Sequence, residues 1–195
     1  MSFRFRTRLL AATTALVAVA GLSACTTTQS TRAKALKPGV VGTAQTVRDC
    51  RALTVLPFTV PTGKRVDASA GQVLAKDVER RLSNDFGSLF ESVEYADAAR
   101  GLAGECVLSG EISKYKKGSK VARFILIGLG PASLEGKIKV VDAANATLLD
   151  APFDKLWAWG GIAGASKGIE DMQVEVGASI ANTVAQAKGW TPPAK

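Results

Sequence analysis

The residues Leu134-Glu135-Gly136-Lys137-Ile138-Lys139-Val140 decide the fold, because small or apolar side chains alternate with charged ones throughout. This alternation is typical of a β-strand with one buried face. Turn-forming residues follow from Asp142 to Asn145, and a second strand is predicted from Thr147 to Trp159. We therefore expect the two strands to form an antiparallel hairpin.

Three further segments upstream have strand character, namely residues 52–58, 89–95 and 106–115. Two stripes of apolar residues recur every third or fourth position and predict helices. The first stripe is Ala70, Leu74, Val78, Leu82 and Phe86, and the second is Ile169, Met172, Val176, Ile180 and Val184. The order β-α-β-β-β-β-α predicts an α+β fold, with a single mostly antiparallel sheet of about five strands covered by two helices.

The N-terminal region is typical of a signal peptide. Residues 1–8 carry three arginines and no acidic residue, and an apolar stretch follows from Leu9 to Ala20. Leu22-Ser23-Ala24-Cys25 resembles a lipobox, whose cysteine receives lipid before the signal peptide is cut off. We predict a signal peptide at 1–24 and lipid, including palmitate, on Cys25. An ordinary secretory signal with an incidental Cys25 is the alternative.

The predicted lipid also indicates where the chain is held. In lipoproteins of this kind an Asp after the cysteine favours the inner membrane, whereas this chain has Thr26. We therefore expect an anchor in the outer membrane, facing the periplasm, if the host has one. Residues 25–46 are polar or small without apolar periodicity, which predicts a flexible tether. The remaining residues, 47–190, are predicted to form one α+β domain.

Two further cysteines, Cys50 and Cys106, would lie in a compartment that permits disulfides. A disulfide between them is one interpretation, and we slightly favour it. Two buried free thiols are the other, since a pair can arise by chance.

Three segments carry a resemblance to the bacterial lipoprotein family called domain of unknown function 4410. They are Gly118-Ser119-Lys120-Val121-Ala122-Arg123, Ile127-Gly128-Leu129-Gly130 and Lys139-Val140-Val141-Asp142-Ala143-Ala144-Asn145. Asn145-Ala146 stands where that family usually has Thr-Gly. The resemblance covers residues 45–188 and implies an envelope lipoprotein, but it implies no particular activity.

The sequence offers little support for an enzyme. It contains no histidine, which excludes a Ser-His-Asp triad, a Cys-His pair and the common zinc sites in their usual forms. Gly164-Ala165-Ser166-Lys167-Gly168 matches a nucleophile elbow only in its spacing, because no base is indicated for Ser166. We expect a non-enzymatic protein that has no cofactor and no metal and does not bind nucleic acid.

Two features could instead bind a partner. A basic segment precedes an apolar run at 124–131 and consists of Lys114, Lys116, Lys117, Lys120 and Arg123. These cations could contact an anionic glycan or lipid, although a solvated basic hairpin beside a buried segment is the blander interpretation. Trp159, at the edge of a glycine-rich loop, is a candidate contact for another envelope protein.

Overall fold

The computed structural model describes residues 34–36, 40–41, 46–60, 69–119, 131–157 and 168–193. The strands in this part of the chain are β1 (Val40–Val41), β2 (Ala52–Val55), β3 (Ser92–Tyr95), β4 (Glu105–Lys116), β5 (Ala132–Val141) and β6 (Thr147–Trp157). The long helices are α1 (Ala70–Phe86) and α2 (Ile169–Lys188). The fold is therefore α+β, as the sequence predicts.

The strands form one sheet in the order β1-β6-β5-β4-β2-β3. The predicted hairpin of β5 and β6 is antiparallel, with Lys139 opposite Asp150 and Ile138 opposite Ala151. The sheet is nevertheless mixed, because β2 pairs in parallel with both β3 and β4. Its β1–β6 and β4–β5 pairings are also antiparallel, so the expectation of a mostly antiparallel sheet is met in its broad form.

The parallel part has a simple cause. Strand β2 is joined to β3 by helix α1, and a crossover of this kind returns the chain in its original direction. All four side chains of β2 are buried, as expected for a strand that lies inside a sheet. The apolar run at 52–58 therefore begins a β-α-β unit.

Both helices cover the same face of the sheet and enclose the hydrophobic core. Every residue of the two predicted helical stripes is buried. On the sheet side, the core includes Leu108, Ile138 and Phe153, from three neighbouring strands. Neither helix is long and apolar enough to cross a membrane, within the ranges that the structure describes.

Close contacts hold the two helices together. At Gly177 in the middle of α2, an added Cβ would collide with the carboxylate of Asp77 in α1, so a larger residue would displace the Asp77 side chain. Where α1 ends and just after α2, the rings of Phe86 and Trp190 meet edge to face with their centroids 5.1 Å apart. The two helices are thus in contact at their middles and beside the C-terminal end of each.

The chain upstream of residue 46 also contacts the domain. The backbone N–H of Leu36 donates to Thr183 Oγ1 in α2 at 2.7 Å. Strand β1 then pairs with the edge of β6, Val40 with Asp150 and Val41 with Leu149. Both attachments lie in the segment predicted to be a flexible tether. The sequence did not predict these attachments, because a strand of two residues is too short to show an alternating pattern.

Candidate binding surface

The sheet face opposite the helices carries mostly charged side chains and forms the outer face of the domain. Glu105, at the start of β4, also lies on this face but is buried. The charged residues of the three long strands that solvent reaches on this face are Glu111, Lys114, Lys116, Glu135, Lys137, Lys139, Asp150 and Asp154. Strand alternation places them here, because the residues between them face the helices. Four of these solvent-accessible residues are basic and four are acidic, so their charges balance.

Several of these charges are paired with each other. Lys114 Nζ lies 2.5 Å from Glu135 Oε1, and Lys137 Nζ lies 3.2 Å from Glu111 Oε2. These pairs are largely exposed, so each contributes little to stability. Their effect is to neutralise Lys114, which weakens its candidacy for binding an anion.

Of the other residues predicted to bind a partner, two lie at the end of β4 and the rest are not described by the structure. Lys116 and Lys117 are exposed at the end of β4 and beyond it. Lys120, Arg123 and Trp159 lie outside the described residues, as does the predicted lipid site Cys25. The structure therefore brings together only the first part of the basic segment.

The outer face also holds an apolar contact point. Leu156 on β6 is 60% exposed, although it lies in a strand of the central sheet. A single exposed leucine is ordinary on a protein surface. Beside the charged rows, it adds a small apolar area on which a partner could pack.

A buried polar cluster lies under the loop between β3 and β4. Glu105 is 4% exposed and accepts hydrogen bonds from the backbone N–H groups of Arg100 at 2.9 Å and Leu102 at 3.0 Å. It also accepts one from the Thr54 hydroxyl. Arg100 in turn donates to Thr54 Oγ1 at 2.8 Å and pairs with Glu94 Oε2 at 2.8 Å.

This cluster holds Glu105 in its charged form. Burial raises the pKa of the Glu105 carboxyl, but hydrogen bonds from Thr54 and three backbone N–H groups outweigh burial and lower the pKa to about 2. A carboxylate that remains charged at neutral pH and already has its donors is a poor proton acceptor. Its role is to fix the loop. Sequence patterning missed Arg100 and Glu105, although Thr54 inside an apolar run was a signal of a buried polar contact.

The disulfide lies on the other face of the sheet, in the core that the helices cover. Cys50 and Cys106 are bonded, with their Cα atoms 5.5 Å apart, and both side chains are buried. Lys188, in the last turn of α2, donates to the carbonyl oxygens of Cys50 and, at 2.8 Å, of Arg48. Burial lowers the pKa of Lys188, and the nearby carboxylates Asp49 and Glu91 oppose that effect. Helix α2 is thereby tied to the segment that bears the disulfide.

A pocket of about 280 Å³ opens beside the disulfide. Asp49 and Asp142 contribute to its lining, yet both carboxylates are engaged in local turns. Asp49 accepts from the backbone N–H of Thr46 at 3.2 Å, and Asp142 accepts from those of Ala144 and Ala146. Across the residues that the structure describes, no group of three His, Cys, Asp or Glu side chains is placed to hold a metal ion.

Comparison with solved structures shows which proteins share the fold. A point variant of PelC from Paraburkholderia phytofirmans, solved as a dodecamer, aligns with a TM-score of 0.53 and 17% identity, over 76% of this chain and 95% of that one. A second PelC dodecamer from the same organism aligns with a TM-score of 0.50 and 17% identity, over 76% and 94% of the two chains. At this identity the likeness shows the fold alone.

A third structure, a Caulobacter crescentus protein proposed to be a lipoprotein, aligns with a TM-score of only 0.35 and 13% identity, over 72% and 90% of the chains. That score is too low to support an argument. The sequence matches no family model and no curated protein. The resemblance to domain of unknown function 4410 is thus not confirmed and stays a prediction.

Proposed function

We propose that this chain is a lipid-anchored protein of the bacterial cell envelope that acts, without catalysis, by binding another envelope component. The observation that carries the proposal is the buried disulfide between Cys50 and Cys106. Disulfides form and persist in oxidising compartments such as the periplasm and are rare in the cytosol. The disulfide supports export, which the signal peptide and lipobox of the sequence independently predict.

The anchor can be tested at Cys25. Cys25→Ser should abolish acylation, seen as loss of the lipid mass on the N-terminal peptide, and should move the protein from the membrane fraction to the soluble periplasm. Thr28→Ser is the matched control and should leave both properties unchanged. Acylation that persists in Cys25→Ser would refute the lipid assignment. Fractionation of inner and outer membranes tests the placement in the outer membrane.

The partner is proposed to be a protein, and a second copy of this chain is one of the proteins that would fit. The balanced outer face, with exposed Leu156, suits a protein better than it suits a polyanion. The PelC structures of similar fold are dodecamers, which supports self-association as one form of this function.

Crosslinking in intact cells, followed by mass spectrometry, tests this partner. A reproducible envelope protein, or a ladder of this chain alone, would support the proposal. Trp159→Ala should weaken the capture if Trp159 is a contact residue, and unchanged capture would remove that residue from the interface. Capture of lipid or glycan only would refute a protein partner.

A second candidate function is a binding module for an anionic glycan or lipid. The observation that favours it is the exposure of Lys116 and Lys117 at the end of β4. Their joint replacement by glutamate should abolish sedimentation with anionic vesicles or binding to an acidic glycan. Joint replacement of Lys137 and Lys139 by glutamate makes the same change in charge elsewhere on the outer face and should have a much smaller effect. Equal effects of the two changes would argue against a specific basic site.

A further inference from the structure

The loop between β3 and β4 and the pocket beside the disulfide lie next to each other at the end of the sheet where β4 begins and β5 ends. We propose that this end is a self-association site, at which Leu102 of each copy inserts into the pocket of a second copy of the chain. Self-association of this kind rests on the proposed function, in which a second copy is one of the proteins that would fit. The surface through which two copies bind is thereby named.

Leu102 is an exposed apolar side chain on a fixed backbone. It is 46% exposed, so its own chain leaves much of it in contact with water. Its N–H donates to Glu105 Oε2 at 3.0 Å, and its carbonyl oxygen accepts from the N–H of Glu105, also at 3.0 Å. Gly101 and Gly104 on either side have φ angles of 73° and 75°, which favour glycine. A loop held in this way loses little conformational freedom when it binds.

The pocket has the size and the lining to accept such a side chain. Its volume is about 280 Å³, below the range of roughly 300–1,000 Å³ that is typical of small-molecule sites. Its apolar lining comes from the disulfide, Ala143, Ala144 and Leu148. Glu105 also lines it, but the Glu105 carboxylate already accepts hydrogen bonds from the loop. The pocket therefore suits a single apolar side chain.

The charges beside the loop and around the pocket are opposite in sign. Arg51 is exposed, and its guanidinium donates to the carbonyl oxygen of Ala103 in the loop at 3.3 Å. Asp49 and Asp142 line the pocket, and each uses one carboxylate oxygen for backbone N–H groups of its own turn. The second oxygen of each carboxylate can accept from a guanidinium. Insertion of Leu102 therefore brings Arg51 of one copy to carboxylates of the other.

The loop and the pocket are close enough for both contacts to form in one pair of copies. Gly104 lines the pocket and is two residues after Leu102, so at most about 7 Å of backbone separates them. In a pair related by a twofold axis, any contact from one copy to the other is accompanied by the reverse contact. One surface of the chain thus provides two leucine insertions for each dimer.

Cysteine crosslinking in cells tests the contact. Two differently tagged copies are expressed together, one with Leu102→Cys and the other with Ala144→Cys, and the membranes are treated with a mild oxidant. We expect a disulfide-linked pair that carries both tags. Leu156→Cys with Ala144→Cys is the control, because Leu156 is 60% exposed but lies near the far end of β6, about 30 Å from the turn before that strand. No crosslink at Leu102, or equal crosslinking in both combinations, would overturn the proposal.

Matched substitutions measure how much the leucine contributes. Leu102→Asp places a charge in the apolar pocket and should raise the dissociation constant of the dimer about a hundredfold, that is about tenfold for each of the two leucines. Leu156→Asp makes the same change at the other end of the domain and should alter the constant by less than about twofold. Sedimentation of the acylated full-length protein in detergent, over a series of concentrations, measures both. Thermal unfolding checks that both variants fold.

The outcomes separate the self-association site from the proposed function. A dimer that Leu102→Asp and Leu156→Asp weaken equally, or that neither weakens, would overturn the site at Leu102. Acylated protein that stays monomeric at every concentration would overturn it as well. In each of these cases a protein partner would still stand if crosslinking in intact cells captured another envelope protein. It would fail if only lipid or glycan were captured.

Discussion

Replacement of Glu105 by Gln should strongly destabilise the domain. Its carboxylate accepts hydrogen bonds from the Thr54 hydroxyl and from backbone N–H groups that include those of Arg100 and Leu102. Glutamine keeps one acceptor oxygen and turns an NH₂ group toward donors. A buried donor left without an acceptor costs about 1–3 kcal/mol, and bonds to a charged group are stronger than neutral ones. We expect a loss of about 3 kcal/mol in the free energy of unfolding at pH 7.

The effect should depend on pH in a defined direction. The pKa of Glu105 is about 2 in the folded protein, against an ordinary value of 4.5. Because the unfolded chain binds the proton more readily, the stabilisation is present above pH 4.5 and is lost as the pH falls toward 2. Between pH 7 and pH 3 the wild-type protein should lose about 2 kcal/mol from this group alone, and the Gln variant should lose none of it.

Urea unfolding at pH 7 and pH 3, with the disulfide intact, measures both effects. The difference in unfolding free energy between wild type and Glu105→Gln should be large at pH 7 and should narrow at pH 3. Asp154→Asn, an exposed carboxylate on β6, is the control and should change stability by less than about 0.5 kcal/mol. The reasoning would be refuted if Glu105→Gln lowered the unfolding free energy at pH 7 by less than about 1 kcal/mol. It would also be refuted if the difference between wild type and variant were as large at pH 3 as at pH 7.

Three further changes test the disulfide, a close backbone contact at Gly71 and the hydrogen bonds of Lys188. Cys50→Ser combined with Cys106→Ser should lower the unfolding free energy by about 4 kcal/mol, because the bond spans a sequence separation of 56; an unchanged urea midpoint would contradict this. Gly71→Ala should lower the unfolding free energy by about 2 kcal/mol, because its methyl group would collide with the backbone carbonyl of Phe58. Gly87→Ala is the control, because its methyl group meets open space. Equal Tm values for these two variants would count against the collision at Gly71. Lys188→Met should cost about 1–2 kcal/mol, since two carbonyl oxygens lose their donor. Unaltered thermal unfolding would show that this tie contributes nothing.

The sequence predicts most of the architecture because its strongest patterns are local. Helical stripes and strand alternation depend only on which face is buried, and both stripes and the 134–140 strand lie where the sequence places them. The direction of β2 relative to its neighbours is not local. It depends on how α1 crosses the sheet, and the mixed pairing became clear only in the structure.

The candidate site was less accessible to prediction. The five cations of the basic segment are close in sequence, but strand pairing sets Lys114 against Glu135, which is 21 positions away. The Arg100–Glu105 cluster likewise depends on Thr54, nearly 50 residues upstream. Polar pairs across a sheet leave no periodic signal, so a charge run in sequence does not show how much charge remains free on the surface.

Strand β1 has a practical consequence for handling the protein. A shortened chain that begins at residue 46 would retain the whole predicted domain but would leave the β6 edge uncovered at Leu149 and Asp150. Exposed strand edges are templates for pairing with other chains, which makes such a fragment prone to aggregate during purification. A chain that begins upstream of Lys34 retains Val40 and Val41, which pair with the β6 edge. Such a chain should therefore aggregate less than the fragment that begins at residue 46.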